Sequence, residues 1–89
     1  MTHPPINPDA PLHEISFEEF EGRLIRGLGA AVGGSALSLA LGYPTQESFR
    51  KAQQRGRIPV PTFTIAGRRG RFAAGTDIAQ WLWQQRLNG

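Results

Sequence analysis

Two prolines one residue apart, in Ile58-Pro59-Val60-Pro61, divide the second half of this chain into two regimes. Proline lacks a backbone N–H, fixes φ, and drives the residue before it toward extended geometry, so no helix crosses this segment. A helix on its N-terminal side must end there, and the chain on its C-terminal side must leave extended or turning. On the N-terminal side, Thr45 can cap a helix that stays compatible from Gln46 to Arg55, with Gly56 as a left-handed stop. Phe49 and Ala52 fall on its inner side. Gln46, Arg50, Gln53 and Arg57 recur at helical intervals as one polar stripe on the outer side. Such amides and guanidiniums suit base edges and phosphates. Glu47 and Lys51 have the favourable i,i+4 orientation, which gives Glu47 a structural role.

After the prolines, Thr62-Phe63-Thr64-Ile65 alternates, with Phe63 and Ile65 on one face. Ala66-Gly67-Arg68-Arg69-Gly70 reads as a turn, and Arg71-Phe72-Ala73 as the return strand, Phe72 inward and Arg71 outward. The tip of this expected hairpin carries Arg68, Arg69 and Arg71.

Charge obeys the same division. Residues 1–44 hold two arginines against five carboxylates, whereas residues 45–89 hold eight basic side chains against two. Seven of those eight are arginine, the residue suited to bidentate and groove contacts, and they gather on one helix face and one hairpin tip. This distribution implies a polyanionic partner, and double-stranded DNA is the expectation.

Three regions are expected. Residues 1–14 carry four of the seven prolines without periodicity and read as a disordered leader. Residues 15–33 hold an acidic amphipathic helix and a Gly-rich junction. Ser16 and Glu19 have capping-box spacing, and Phe17, Phe20, Leu24 and Leu28 make an apolar face over Phe17–Leu28. This helix either docks on the domain or joins two copies. Residues 34–89 form the binding domain. Within it a short helix runs from Ser35 to Leu41, with Ala36, Leu37, Ala40 and Leu41 inward, and Gly42-Tyr43-Pro44 turns into the Gln46 helix. Two short helices joined by a Gly-containing turn make a helix-turn-helix, the second helix being the reader. A last helix begins at Gly75-Thr76-Asp77, capped by Thr76 or Asp77. Ile78, Trp81 and Leu82 form its buried face, and Ala79, Trp83 and Leu87 share another. Trp83 completes the core or anchors a second subunit, and Phe20, Leu24, Trp83 and Leu87 are the candidate oligomer surface.

The segment Leu41-Gly42-Tyr43-Pro44-Thr45, then Phe49-Arg50-Lys51-Ala52, Arg55-Gly56-Arg57-Ile58-Pro59-Val60-Pro61, Gly67-Arg68-Arg69-Gly70-Arg71-Phe72 and Asp77-Ile78-Ala79-Gln80-Trp81-Leu82 resembles a known pattern. It is similar to small winged-helix DNA-binding proteins of the MerR-like and excisionase class, including AlpA-type and pyocin-activator-type regulators of phage and integrating elements. The resemblance spans about Ser35 to Arg86. It implies an α+β fold, mainly helical: a winged helix-turn-helix with a two-stranded β-hairpin wing, here with an additional N-terminal helix. It implies reader-helix contacts by Gln46, Ser48, Arg50, Lys51, Gln53 and Gln54, and wing contacts by Arg68, Arg69 and Arg71. Phe49, Ile58, Phe63, Phe72, Trp81 and Leu82 would be core. The acidic helix and the leader fall outside the pattern of the class, and no effector domain is expected in these residues.

The expected function is therefore sequence-specific duplex DNA binding, as a transcriptional regulator of a mobile element acting in several copies. An excisionase that bends DNA for a recombinase is the alternative allowed by the same physics. RNA polymerase or a recombinase would be the protein partner. A protein-binding adaptor on the same scaffold would use the acidic helix and Trp83 instead, and RNA binding is weaker because Phe63 and Phe72 read as buried. No enzyme is expected: both histidines, His3 and His13, lie in the leader, and Glu47 and Asp77 are accounted for as ion-pair and cap. Neither a cofactor nor a metal is expected, since the chain has no cysteine and the histidines lack further ligands at suitable spacing. No apolar run approaches the ~20 residues of a membrane span, no secretory signal is evident, and a cytoplasmic location is expected.

Overall fold

The computed structural model describes residues 15–89, so the leader expected over residues 1–14, with both histidines, lies outside the described residues. The elements run α1 (Phe17–Leu28), β1 (Ala31–Gly33), α2 (Gly34–Ala40), α3 (Gln46–Gln54), β2 (Phe72–Ala74) and α4 (Gly75–Asn88). Four helices and a two-stranded antiparallel sheet make an α+β fold.

α1 starts where the Ser16 side chain accepts from the Glu19 N–H at 3.1 Å. The reciprocal half of the expected capping box is not made; the Glu19 carboxylate instead lies 4.0 Å from the Arg23 guanidinium. The apolar face of α1 is turned onto α4. The Phe17 and Phe20 rings lie 5.6 and 5.4 Å from the Trp83 ring, and Leu24 and Leu28 pack against the buried core. The Thr76 hydroxyl donates to the Glu21 carboxylate, a polar tie between the same two helices.

Because α1 covers one side, α4 is buried on two. Ile78 and Ala79 are both fully buried, and Trp81, Leu82 and Trp83 are half-buried. The start of α4 differs from expectation. Ala74, not Thr76 or Asp77, holds the cap position, without a side-chain cap bond. The reason is that β2 runs straight into α4. The Gly75 N–H donates to the Ala30 carbonyl at 2.8 Å, which satisfies one of the free donors that a cap would serve.

The Gly-rich junction is not a linker. Ala31–Gly33 is a strand that pairs antiparallel with Phe72–Ala74, in the register Ala31 to Ala74, Val32 to Ala73 and Gly33 to Phe72. Val32 and Ala73 oppose each other on the buried face. The expected wing hairpin is correspondingly reduced. Its arms meet in one bridge between Phe63 and Phe72, which exchange both backbone bonds at 2.9 and 2.8 Å. Phe63 is not core; it is 39 % exposed. The Phe72 ring leans over Gly33, so close that a Cβ there would lie 2.6 Å from it, which leaves Phe63 at the outer edge of the row.

α2 is rotated from its expected face. Leu37 and Leu41 are buried as expected, but Ala36 is exposed and Ser38 is buried. Ser38 tolerates burial because its hydroxyl donates to the Ser35 carbonyl at 3.1 Å. Leu37, with no exposed surface, contributes about 1.5–3 kcal/mol by burial. The core joins Val32, Leu37, Leu41, Phe49, Val60, Ala73 and Ile78, so both strands, three helices and the Pro connection feed one apolar cluster.

Candidate nucleic-acid interface

α3 is fixed at both ends and along its rear. The Thr45 side chain accepts from the Ser48 N–H at 3.0 Å, and the Ser48 hydroxyl bonds back to Thr45. At the far end Gly56 adopts φ +65°, which a side chain would resist. The Gly56 and Arg57 N–H groups then donate to the Gln53 and Ala52 carbonyls, closing a Schellman stop. Phe49 anchors the inner face, buried with its ring 5.6 Å from that of Tyr43. These contacts set the rotation of the helix and so the direction of its polar stripe: Gln46, Arg50 and Arg57 are exposed, and Gln53 is half-buried.

Behind the prolines the hairpin is braced by a feature invisible in the strand pattern. Arg71 does not point freely outward. It is half-buried, with its Nε donating to Thr62 Oγ1 at 2.8 Å and an Nη to the Thr62 carbonyl at 2.7 Å. Together with the Phe63–Phe72 bridge, this clamp sets where the loop tip stands. The tip closes with the Arg68 N–H on the Ile65 carbonyl at 3.0 Å, and Arg68 and Arg69 are exposed.

An open cleft of about 250 Å³ lies between the two elements. Gln46, Arg50 and Gln53 of α3 line it with Arg69, Gly70 and Arg71 of the hairpin. Three guanidiniums and no carboxylate border it. The nearest acidic residue along α3, Glu47, is engaged by Lys51 at 3.7 Å. Like charges gathered around one open cleft favour an anionic occupant.

The expected site residues thus divide. Gln46, Arg50, Gln53, Arg69 and Arg71 come together at the cleft. Lys51, Gln54, Arg57 and Arg68 are exposed and do not line it. The Ser48 hydroxyl is spent on the cap. Sequence reasoning missed Thr62, which no spacing pairs with Arg71, since the antiparallel Phe63–Phe72 bridge sets Thr64 across from Arg71; it also missed Gly34, which borders the cleft from α2. Of the candidate oligomer residues, Phe20, Leu24 and Trp83 make contacts within the chain, and Leu87 is 61 % exposed. The Arg86 guanidinium carbon lies 5.0 Å from the centre of the Trp83 ring.

Among the described residues no three His, Cys, Asp or Glu side chains gather to hold a metal ion, and no helix is long and apolar enough to cross a membrane. Comparison with protein-family models, with curated proteins and with solved structures gives no match.

Proposed function

We propose that the protein binds double-stranded DNA sequence-specifically, with α3 in the major groove and the 62–72 hairpin on the flanking phosphates or in the adjacent minor groove. The observation that carries this reading is the shared cleft: Gln46, Arg50 and Gln53 of α3 line the same space as Arg69 and Arg71 of the hairpin. The order of elements supports it too. α2 and α3 are two short helices joined by a tight turn and succeeded by a loop whose arms meet in one bridge, an order compatible with a winged helix-turn-helix.

In this reading Gln46, Arg50 and Gln53 meet base edges and nearby phosphates. Arg68 and Arg69 supply backbone contacts from the tip, and Arg71 holds the tip in place while its charge adds to the field. Lys51, Gln54 and Arg57 flank the footprint. The acidic α1 lies against α4, and none of its carboxylates lines the cleft. One module of this size buries about 600–1,000 Å² on DNA, so useful specificity requires several copies on neighbouring sites. The biological role is regulation of transcription on a phage or integrating element, in the cytoplasm, with excision of such an element as the alternative outcome of the same binding. A protein-binding adaptor is the competing class. It would draw on α1 and Trp83, whose apolar surfaces are already turned toward each other.

The test is titration of a labelled duplex at several salt concentrations, then footprinting on the intergenic DNA beside the gene. Each lost phosphate contact reduces the logarithmic salt slope by about 0.9. The paired substitution Arg68→Ala and Arg69→Ala is expected to flatten the slope by up to about two. Gln53→Ala is expected to change sequence preference. Unaltered affinity and slope in the double-arginine variant would remove the hairpin from the mechanism.

A further inference from the structure

A wider cavity lies on another part of the molecule. It is an open groove of about 610 Å³ between the start of α1, the Pro connection and α4. Phe17, Trp81 and Trp83 supply aromatic walls, and Pro59 and Pro61 supply stiff apolar ones. Gln80 and Gln84, four apart on α4, add amides that both donate and accept. None of this lining is used by the DNA reading.

Aromatic-lined grooves of this kind take polyproline II segments, whose backbone makes no internal hydrogen bonds and leaves every carbonyl free to accept. Such a segment stands next in the chain. In Pro4-Pro5-Ile6-Asn7-Pro8-Asp9-Ala10-Pro11, the prolines Pro5, Pro8 and Pro11 recur every third residue. A polyproline II helix has three residues per turn, so these three rings would form one edge. The segment leads into Ile15, two residues before Phe17, which is itself a wall of the groove. The connecting residues from Leu12 to Ile15 reach roughly 14 Å when extended, enough to lay the prolines along the aromatic walls.

We infer that the groove is the docking site for the chain's own residues 4–11, held as a polyproline II strand with Pro5, Pro8 and Pro11 against the tryptophans. The tether makes weak contacts sufficient. A short linker gives an effective concentration of about 1 mM, so a segment with an intrinsic affinity of only ~0.1 mM is docked about ten to one. Docking would cover Pro59 and Pro61, the connection from which both the end of α3 and the hairpin depart.

Both tryptophans of the chain line this groove, so their fluorescence reports on it directly. The full chain is compared with the triple substitution Pro5→Ala, Pro8→Ala and Pro11→Ala. The expected result is emission at longer wavelength and stronger acrylamide quenching in the variant, independent of protein concentration. A synthetic peptide of residues 2–13, added to the variant at several millimolar, restores the original spectrum. Identical spectra and quenching in the two chains would overturn the inference, as would failure of the peptide to restore the signal. A difference that disappears on dilution would overturn it in favour of docking onto a second copy.

Discussion

The clamp between Arg71 and Thr62 makes a prediction about the hairpin that is separate from charge. Arg71→Lys keeps the positive charge but cannot reproduce two donors in a fixed fork. The structure assigns Arg71 two bonds to Thr62, at 2.8 and 2.7 Å, on a half-buried side chain. Hydrogen bonds from charged donors contribute about 1.5–3 kcal/mol each when well shielded. Solvent reaches this guanidinium, so a combined loss near the lower figure, about 1.5 kcal/mol, is the reasonable estimate. A change of 1.4 kcal/mol is a factor of ten in an equilibrium, so opening of the hairpin should rise about tenfold. The Phe63 and Phe72 N–H groups close the bridge and report that opening. Amide hydrogen exchange is expected to accelerate about tenfold at these two positions in Arg71→Lys, while amides of α4 keep their protection. Equal exchange at Phe63 and Phe72 in the two proteins would refute the clamp as the element that fixes the tip.

Two further substitutions test how the interface is held. Thr45→Ala removes the cap of α3 and is expected to cost about 1 kcal/mol, a fall in Tm of roughly 4–8 °C for a domain of this size, read by calorimetry. Gly75→Ala places a methyl 2.6 Å from the Gly29 carbonyl and 3.1 Å from Ile25, where backbone must move. A destabilisation of about 1–3 kcal/mol is expected from that overpacking, measured by urea denaturation, and no change would mean that the α1–α4 junction is looser than its geometry.

The helices were legible because each carries its own signal. Phe17, Phe20, Leu24 and Leu28 mark a face that needs no partner to be read, and α1 has the expected bounds. Thr45 and Gly56 frame α3 as local chemistry requires. The strand Ala31–Gly33 was not legible, since three small residues cannot display a period of two and its partner lies some forty residues away in sequence. Phe63 was misjudged for a related reason. Alternation places a side chain on a face, but only the neighbouring strand decides whether anything covers it, and here Phe72 turns toward Gly33. At the candidate interface, helical spacing put Gln46, Arg50 and Gln53 in one row without the fold. That Arg69 and Arg71 border the same cleft depends on the path after Pro61 and on Thr62, neither of which any local pattern encodes.

The central claim is that α3 and the hairpin tip engage one duplex together. Titration of labelled protein with a footprinted duplex, read through amide chemical shifts, tests it most directly. Residues 46–54 and 66–71 are expected to shift along one binding curve while the exposed face of α1 stays still. Shifts concentrated in α1 and α4, with the Gln46–Gln54 helix unmoved, would contradict it.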